Sequence, residues 1–203
     1  MDKSYNRQRE ALPSSEPPLR VAITGGTAGL GLALVREFRS RGAEVAFVAR
    51  GEERLQRVAR ELPGSHGIAG DLARKDDIHP IALQVTGSLG GVDVLVNNAS
   101  SLGPVPLALL ADTECEQLEL ALATNLVGPF RLSELASDGV RVLTLDPGDM
   151  DTALHAAALP DADPATLKRP ETAARELADA IAAALPNRDL CGVRRGSDPG
   201  RVG

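Results

Sequence analysis

Short apolar runs alternate along the chain with longer stretches in which apolar residues recur every three or four positions. That is the pattern of strands feeding helices in a parallel sheet covered on both faces. Residues 19–24 are the first run, after which Leu30, Leu34, Val35 and Phe38 recur at helical spacing and Gly42 ends the helix. Residues 44–49 read as a second strand, 52–62 as a polar-faced helix stopped by Pro63-Gly64, and 66–70 as a third strand. Residues 75–89 read as a helix that must take Pro80 early or break there, because proline lacks an N–H and clashes one turn back. A fourth strand over 92–96 follows, then a helix over 114–126 disturbed by Gly128-Pro129, a further strand over 139–145, and a helix over 171–185 with Pro170 before it. The fold class this predicts is α/β, a Rossmann-like doubly wound parallel sheet.

Composition narrows the setting. The 203 residues, 43% hydrophobic, suit one core, so a single domain over 19–185 is expected, with loose tails at 1–18 and 186–203. A net charge of −6 argues against nucleic acid, whose binding needs clustered Lys and Arg. Cys115 and Cys191 lie far apart, and His66, His79 and His155 are scattered without ligand spacing, so neither a metal site nor a disulfide framework is expected. Residues 1–18 mix charges with Ser14, Ser15 and three prolines and hold no apolar run of signal type. No stretch is apolar for long enough to cross a bilayer, and a cytoplasmic location without a membrane partner is the expectation. With no Trp and one Tyr, the core must be built from Ala, Val, Leu and Ile.

The chemistry begins at the end of the first strand. Gly25-x-x-x-Gly29-x-Gly31 lets the chain turn tightly, brings backbone N–H groups towards a pyrophosphate and opens a helix whose positive end faces that anion. Glycines between a strand and a helix also serve as plain turn residues, but here a second strand follows at the distance a βαβ unit requires. Arg50 stands at the end of that strand, where an NAD site carries an acid for the ribose 2′-OH. A guanidinium there suits the 2′-phosphate of NADP, so NADP(H) is preferred over NAD(H); the plainer alternative is a surface arginine ahead of a helix.

With these residues in view, the chain resembles the short-chain dehydrogenases/reductases. The resemblance rests on Thr24-Gly25-Gly26-Thr27-Ala28-Gly29-Leu30-Gly31, then Asp71-Leu72, Asn97-Asn98-Ala99-Ser100, Asn125, and Asp146-Pro147-Gly148 with Thr152, in that order. It implies that Asp71 and Leu72 flank the adenine, that Asn97, Asn98 and Ala99 lie beside the cofactor ribose, and that Pro147, Gly148 and Thr152 lie near the nicotinamide. Ser100 replaces the glycine usual after Asn-Asn-Ala. Taken singly, Asp71 is equally read as a helix cap, Asn97-Asn98 as turn chemistry and Pro147-Gly148 as a turn pair.

The family transfers hydride with a Tyr, a Lys four residues later and a Ser. A phenol with an unperturbed pKa of about 10 needs a nearby cation to act as a base at neutral pH. The single tyrosine here is Tyr5, followed at the fourth position by Arg9. After Leu132 the family continues through a strand bearing the Ser and a long helix bearing Tyr and Lys, whereas this chain passes to Ser133-Glu134-Leu135-Ala136 and on to Val140, which resembles the end of that helix entering the next strand. The resemblance therefore covers 19–132 and 134–185 with an internal deletion between, and Asn125 is the one member of the catalytic set left. Either the strand at 140–145 moves beside the strand at 92–96, or the second half packs poorly. The functional expectation is an NADP(H)-binding oxidoreductase by family, acting on a small carbonyl or alcohol, with tyrosine-dependent turnover absent. Asp149, Asp151 and His155 are the nearby candidates for a substitute acid, although a solvated acidic loop with one surface histidine accounts for them better. The family's usual dimer or tetramer is left open, because most of a helix that contributes to its subunit interface is lacking. The alternative is a non-catalytic NADP-binding or interaction protein, or a non-functional deletion product. Hydrolase chemistry has no support, since no G-x-S-x-G elbow is present.

Overall fold

The computed structural model describes residues 17–135 and 142–185. Four strands, β1 (Arg20–Thr24), β2 (Glu44–Ala49), β3 (Ser65–Ala69) and β4 (Val94–Val96), form one parallel sheet in the order β3-β2-β1-β4. Val21 lies opposite Val45 on one side and Val94 on the other, which fixes the register. Helices α1 (Gly29–Ser40), α2 (Glu52–Glu61) and α3 (Lys75–Leu89) connect the strands. Beyond β4, α4 (Cys115–Leu122) runs through a π-helical segment (Ala123–Val127) into α5 (Gly128–Glu134), and α6 (Ala153–Ala158) and α7 (Pro170–Ala184) follow.

Alternation along the strands sorts the core into two layers. Val21, Ile23, Val45 and Phe47 pack against Leu34 and Phe38 of α1, Leu55 and Val58 of α2, and Ala174 and Ala178 of α7. Ala22, Ala46 and Val48 face the other way, onto Ile78, Ile81 and Val85 of α3 and Leu132 of α5. Pro80 sits in the second turn of α3 without breaking it. Both Pro80 and Asp76, whose carbonyl would have taken the missing N–H, are exposed, so water takes its place.

The disturbance expected near Gly128-Pro129 takes a defined form. The Gly128 N–H donates to the Ala123 carbonyl, five residues back, widening one turn just before a residue that has no N–H. Gly128 also rests against Leu72, whose carbonyl oxygen would lie 2.7 Å from any added Cβ. The helix therefore continues to Glu134, beyond the expected end at 126.

Two expectations need correction. The fourth strand is β4, Val94–Val96, because Asp93 turns its carboxylate back onto Arg20. Arg20 N and Nε donate to Asp93 Oδ2 at 2.9 and 3.1 Å, and Nη2 donates to Oδ1 at 2.9 Å. That hydrogen bond holds the Arg20 guanidinium above its ordinary range, against the opposing effect of desolvation. The strand expected over 139–145 is not formed in its described part. Residues 142–148 have no regular structure and Val142 is 89% exposed, while 139–141 lie outside the described residues. Its apolar residues, Val140 and Val142 on one face and Leu143 and Leu145 on the other, would need cover on both sides. In the described part that cover is lacking, since Val142 and Leu143 are both exposed. The chain returns to the body at Met150, which bridges Lys168 in parallel, with Lys168 N donating to Asp149 O and Asp151 N to Lys168 O, each at 3.0 Å. The expected tails at 1–18 and 186–203 fall almost wholly outside the described residues.

Candidate functional site

The site is assembled at the carboxyl ends of the strands, where open α/β sheets present ligands to loops. β1 ends at Thr24, and the turn from Gly25 to Ala28 delivers the chain to α1. Gly25 and Gly29 adopt positive φ, +74° and +51°. Gly25 N and Gly26 N both donate to Val48 O, at 2.8 and 3.3 Å, which pins the turn against the end of β2. Gly31 packs so closely on the Gly25 carbonyl and the Asn98 side chain that a Cβ could not be added without movement. At the start of α1, the N-cap residue Ala28 offers no side-chain bond and the first turn carries no acid, so its leading N–H groups are left uncapped by side chains. Ala28 and Gly29 are exposed, Thr27 and Leu30 partly so.

Thr24 ties this turn to the end of β4. Its buried hydroxyl accepts from Asn98 N and Ala99 N, both at 3.0 Å, and donates to Val96 O at 3.4 Å, while Asn98 Nδ2 donates to Thr24 O at 2.8 Å. Asn98 is thus committed to bracing the glycine turn. Asn97 Nδ2 instead reaches Ser133 Oγ at 3.2 Å, and that hydroxyl donates to Pro129 O at 2.8 Å. Asn125, inside the π-helical segment, clamps the loop after Ala99: its Oδ1 accepts from Ser101 N and its Nδ2 donates to Ser101 O, both at 2.8 Å.

Asp71 Oδ1 accepts from Ala73 N at 3.0 Å, a local turn bond, and Asp71 N donates to Asp77 Oδ2 at 2.9 Å. The Leu72 side chain lies in the core. Arg50 follows β2 directly, two residues past the carbonyl that anchors the glycine turn, and is exposed with no hydrogen bond or ion pair among the described residues. From the second half, Thr152 approaches the turn, its Cγ2 3.4 Å from the place a Cβ on Gly29 would occupy, while its hydroxyl caps α6 by accepting from His155 N at 3.1 Å. Gly148, at φ +72°, is held by Asp146 Oδ1 at 2.8 Å, beside a half-buried Pro147. His155 Nε2 lies 3.8 Å from Asp149 Oδ1, and Asp151 is exposed. Tyr5 lies outside the described residues.

A family profile described as short chain dehydrogenase matches residues 20–139, from the first residue of β1 to beyond α5. The chain belongs to the short-chain dehydrogenase family. The chain is 40% identical over 134 residues to the "Short chain dehydrogenase/reductase dpmpG" of Macrophomina phaseolina (strain MS6), covering 62% of this chain and 71% of that one. It is 33% identical over 121 residues to the "L-fucose dehydrogenase" of Rattus norvegicus, covering 60% of this chain, and it spans only 44% of that relative's length. Among solved structures, a metagenomic short-chain oxidoreductase in complex with NADP superposes with a TM-score of 0.53 at 32% identity, over 58% of this chain and 54% of that one. A variant of the actinorhodin polyketide ketoreductase with NADPH superposes with a TM-score of 0.71 over 83% of this chain and 93% of that one. At 22% identity this likeness speaks to the fold alone.

The fold thus gathers Thr24, the glycines, Asn98, Ala99 and Thr152 around one turn, and keeps Arg50 at its flank. Three groups that the sequence reading missed take part: Ser101 as the object of the Asn125 clamp, Ser133 under Asn97, and Lys168, which anchors the returning loop and pairs with Glu176 Oε2 at 2.7 Å. Ser101 and Ser133 belong to no family motif, and the pairing of Lys168 with the Asp149 backbone has no local signal.

Proposed function

We propose that this short-chain dehydrogenase holds a nicotinamide dinucleotide across the Gly25–Gly31 turn, NADP(H) in preference to NAD(H), and that ordinary tyrosine-dependent hydride transfer is absent from it. The observation that carries the reading is the uncapped start of α1 behind a turn of bare backbone: with no side chain on its leading N–H groups, the positive end of the helix suits a pyrophosphate. Gly25, Thr27, Ala28, Gly29, Leu30 and Gly31 would hold the phosphates by backbone. Arg50, unpaired and exposed, supports a clamp on a 2′-phosphate. Asp71 and Leu72 would flank the adenine, the Leu72 contribution being its backbone because its side chain is in the core. Asn97, Asn98 and Ala99 would border the ribose, and Pro147, Gly148 and Thr152 the nicotinamide. When bound, the nicotinamide ring supplies or accepts a hydride.

The proton that must accompany a hydride is the weak point. The chain has one tyrosine, at position 5, and no Tyr-x-x-x-Lys. Its passage from α5 towards residue 142 is consistent with an internal deletion of the segment that carries Ser, Tyr and Lys in the family. Asn125, the remaining member of that set, spends both ends of its amide on Ser101. A second reading, an active oxidoreductase on a small carbonyl or alcohol, draws support from the Asp149–His155 pair on the loop that reaches Gly29 through Thr152.

Calorimetric titration with NADPH and NADH tests the first reading. NADPH is expected to bind more tightly, Arg50→Asp to weaken NADPH about tenfold or more while leaving NADH nearly unchanged, and Gly29→Asp to abolish both. Binding of neither nucleotide would overturn it. Steady-state carbonyl reduction that is lost in Gly29→Asp would overturn the absence of turnover and move the proton to Asp149, Asp151 or His155.

A further inference from the structure

On the α3–α5 face of the sheet, reaching Thr24 just before the glycine turn, lies a cavity of about 310 Å³. Its walls are Ile81, Ala82 and Val85 of α3, Leu95 of β4, and Leu132 and Leu135 at the end of α5. It exists because α5 stops at Glu134 while α3 runs on to Leu89, so the floor of the sheet is covered by one helix where two would be needed, and the neighbouring residues Ala22 and Ala82 are too small to fill the gap. A well-packed interior leaves few voids larger than a water molecule, and this one is lined mostly by apolar side chains, with Thr86 at its exposed rim. The Thr24 hydroxyl at one end is already shared among Asn98, Ala99 and Val96, and the Asp93 carboxylate at the other is bonded to Arg20.

We infer that this cavity is a binding site for a neutral, compact apolar molecule, of the bicyclic aromatic class. Size sets the class: an apolar cavity of about 150 Å³ takes one benzene ring, so twice that volume takes roughly ten carbon atoms. Charge sets the neutrality, because the charged group on the rim is already paired and an ion brought inside would lose its water without gaining a partner. Thr24 is the one lining residue shared with the glycine-turn site, and its hydroxyl is already committed to Asn98, Ala99 and Val96, so the site does not rest on the nucleotide reading.

Indole is a suitable probe, because the protein contains no Trp and the emission of the probe is read without background. Titrating the full-length protein into indole is expected to give a saturable blue shift, unaffected by NADPH, with methyl NMR shifts at Ile81, Val85, Leu95 and Leu132. Ala82→Leu and Leu132→Phe, each checked for a retained cooperative melt, fill the space and should weaken indole about tenfold or more. Indole-3-acetate, the same ring with a carboxylate, should bind about tenfold more weakly than indole to the unaltered protein. The inference is overturned if indole does not saturate, if both filled variants bind it as the unaltered protein does, or if NADPH displaces it.

Discussion

The hydroxyl of Thr24 receives two backbone N–H groups and gives its own proton to a third residue, so a single oxygen joins the ends of β1 and β4. Replacing it by Val keeps the shape and removes the acceptor, leaving Asn98 N and Ala99 N without a partner in a partly buried place. Thr24→Val is expected to cost about 1–3 kcal/mol in urea unfolding, and Thr24→Ser, which keeps the oxygen and loses a methyl, about 1 kcal/mol. Gly31 is limited by space alone: its Cα lies against the Gly25 carbonyl and the Asn98 amide in a helix that would otherwise welcome Ala. Gly31→Ala should therefore destabilise by about 1–3 kcal/mol despite the better propensity, and denaturation midpoints check it. These two positions show what the motif could and could not disclose. The need for glycines was legible in the spacing of Gly25, Gly29 and Gly31. That Asn98 braces the turn with its side chain, with Thr24 as the hub, depends on β4 lying beside β1, and pairing between distant strands leaves no local trace.

Elements with a strong internal period were read with small errors at their ends: α1, α2, α3 and α7, and the strands β1 to β3. The misses fall where an element depends on its neighbours. Residues 139–145 have the composition of a strand, yet a strand needs cover on its faces, and Val142 and Leu143 are both exposed. α6 escaped because six Ala-rich residues carry little periodicity, although Thr152 at its start is a cap residue in plain view. Within the π-helical segment, Asn125 meets Ser101 with both ends of its amide. Asn125→Ala should release that loop, seen as faster hydrogen exchange at the Ser101 amide with little change at Val21 or Val45. α7 lies on α1 through Ala173, Ala174 and Ala178, all fully buried, and Arg41 reaches across to Asp179 at 2.7 Å. Ala178→Leu leaves no room for that approach and should lower stability by about 1–3 kcal/mol, with α7 amides losing protection first.

For the molecule as a whole, apolar surface is unevenly covered. Leu126 in the π-helical segment and Phe130 in α5 are 61% and 59% exposed, and the outer edge of β4 has no strand partner among the described residues. Exposed apolar patches and open edges drive association. Sedimentation velocity should show self-association that rises with concentration and is reduced in Leu126→Lys/Phe130→Lys. No helix among the described residues is long and apolar enough to cross a membrane. The seating of α7 on α1 carries a consequence for the integrity of the backbone. The chain leaves the sheet after α5 and comes home to its first helix, so its last described element is fastened to its earliest one by packing and by Arg41. A protease cut in the exposed stretch Leu159–Asp161 would sever the polypeptide without parting the pieces, and the two fragments should travel together on a native sizing column and separate only in denaturant.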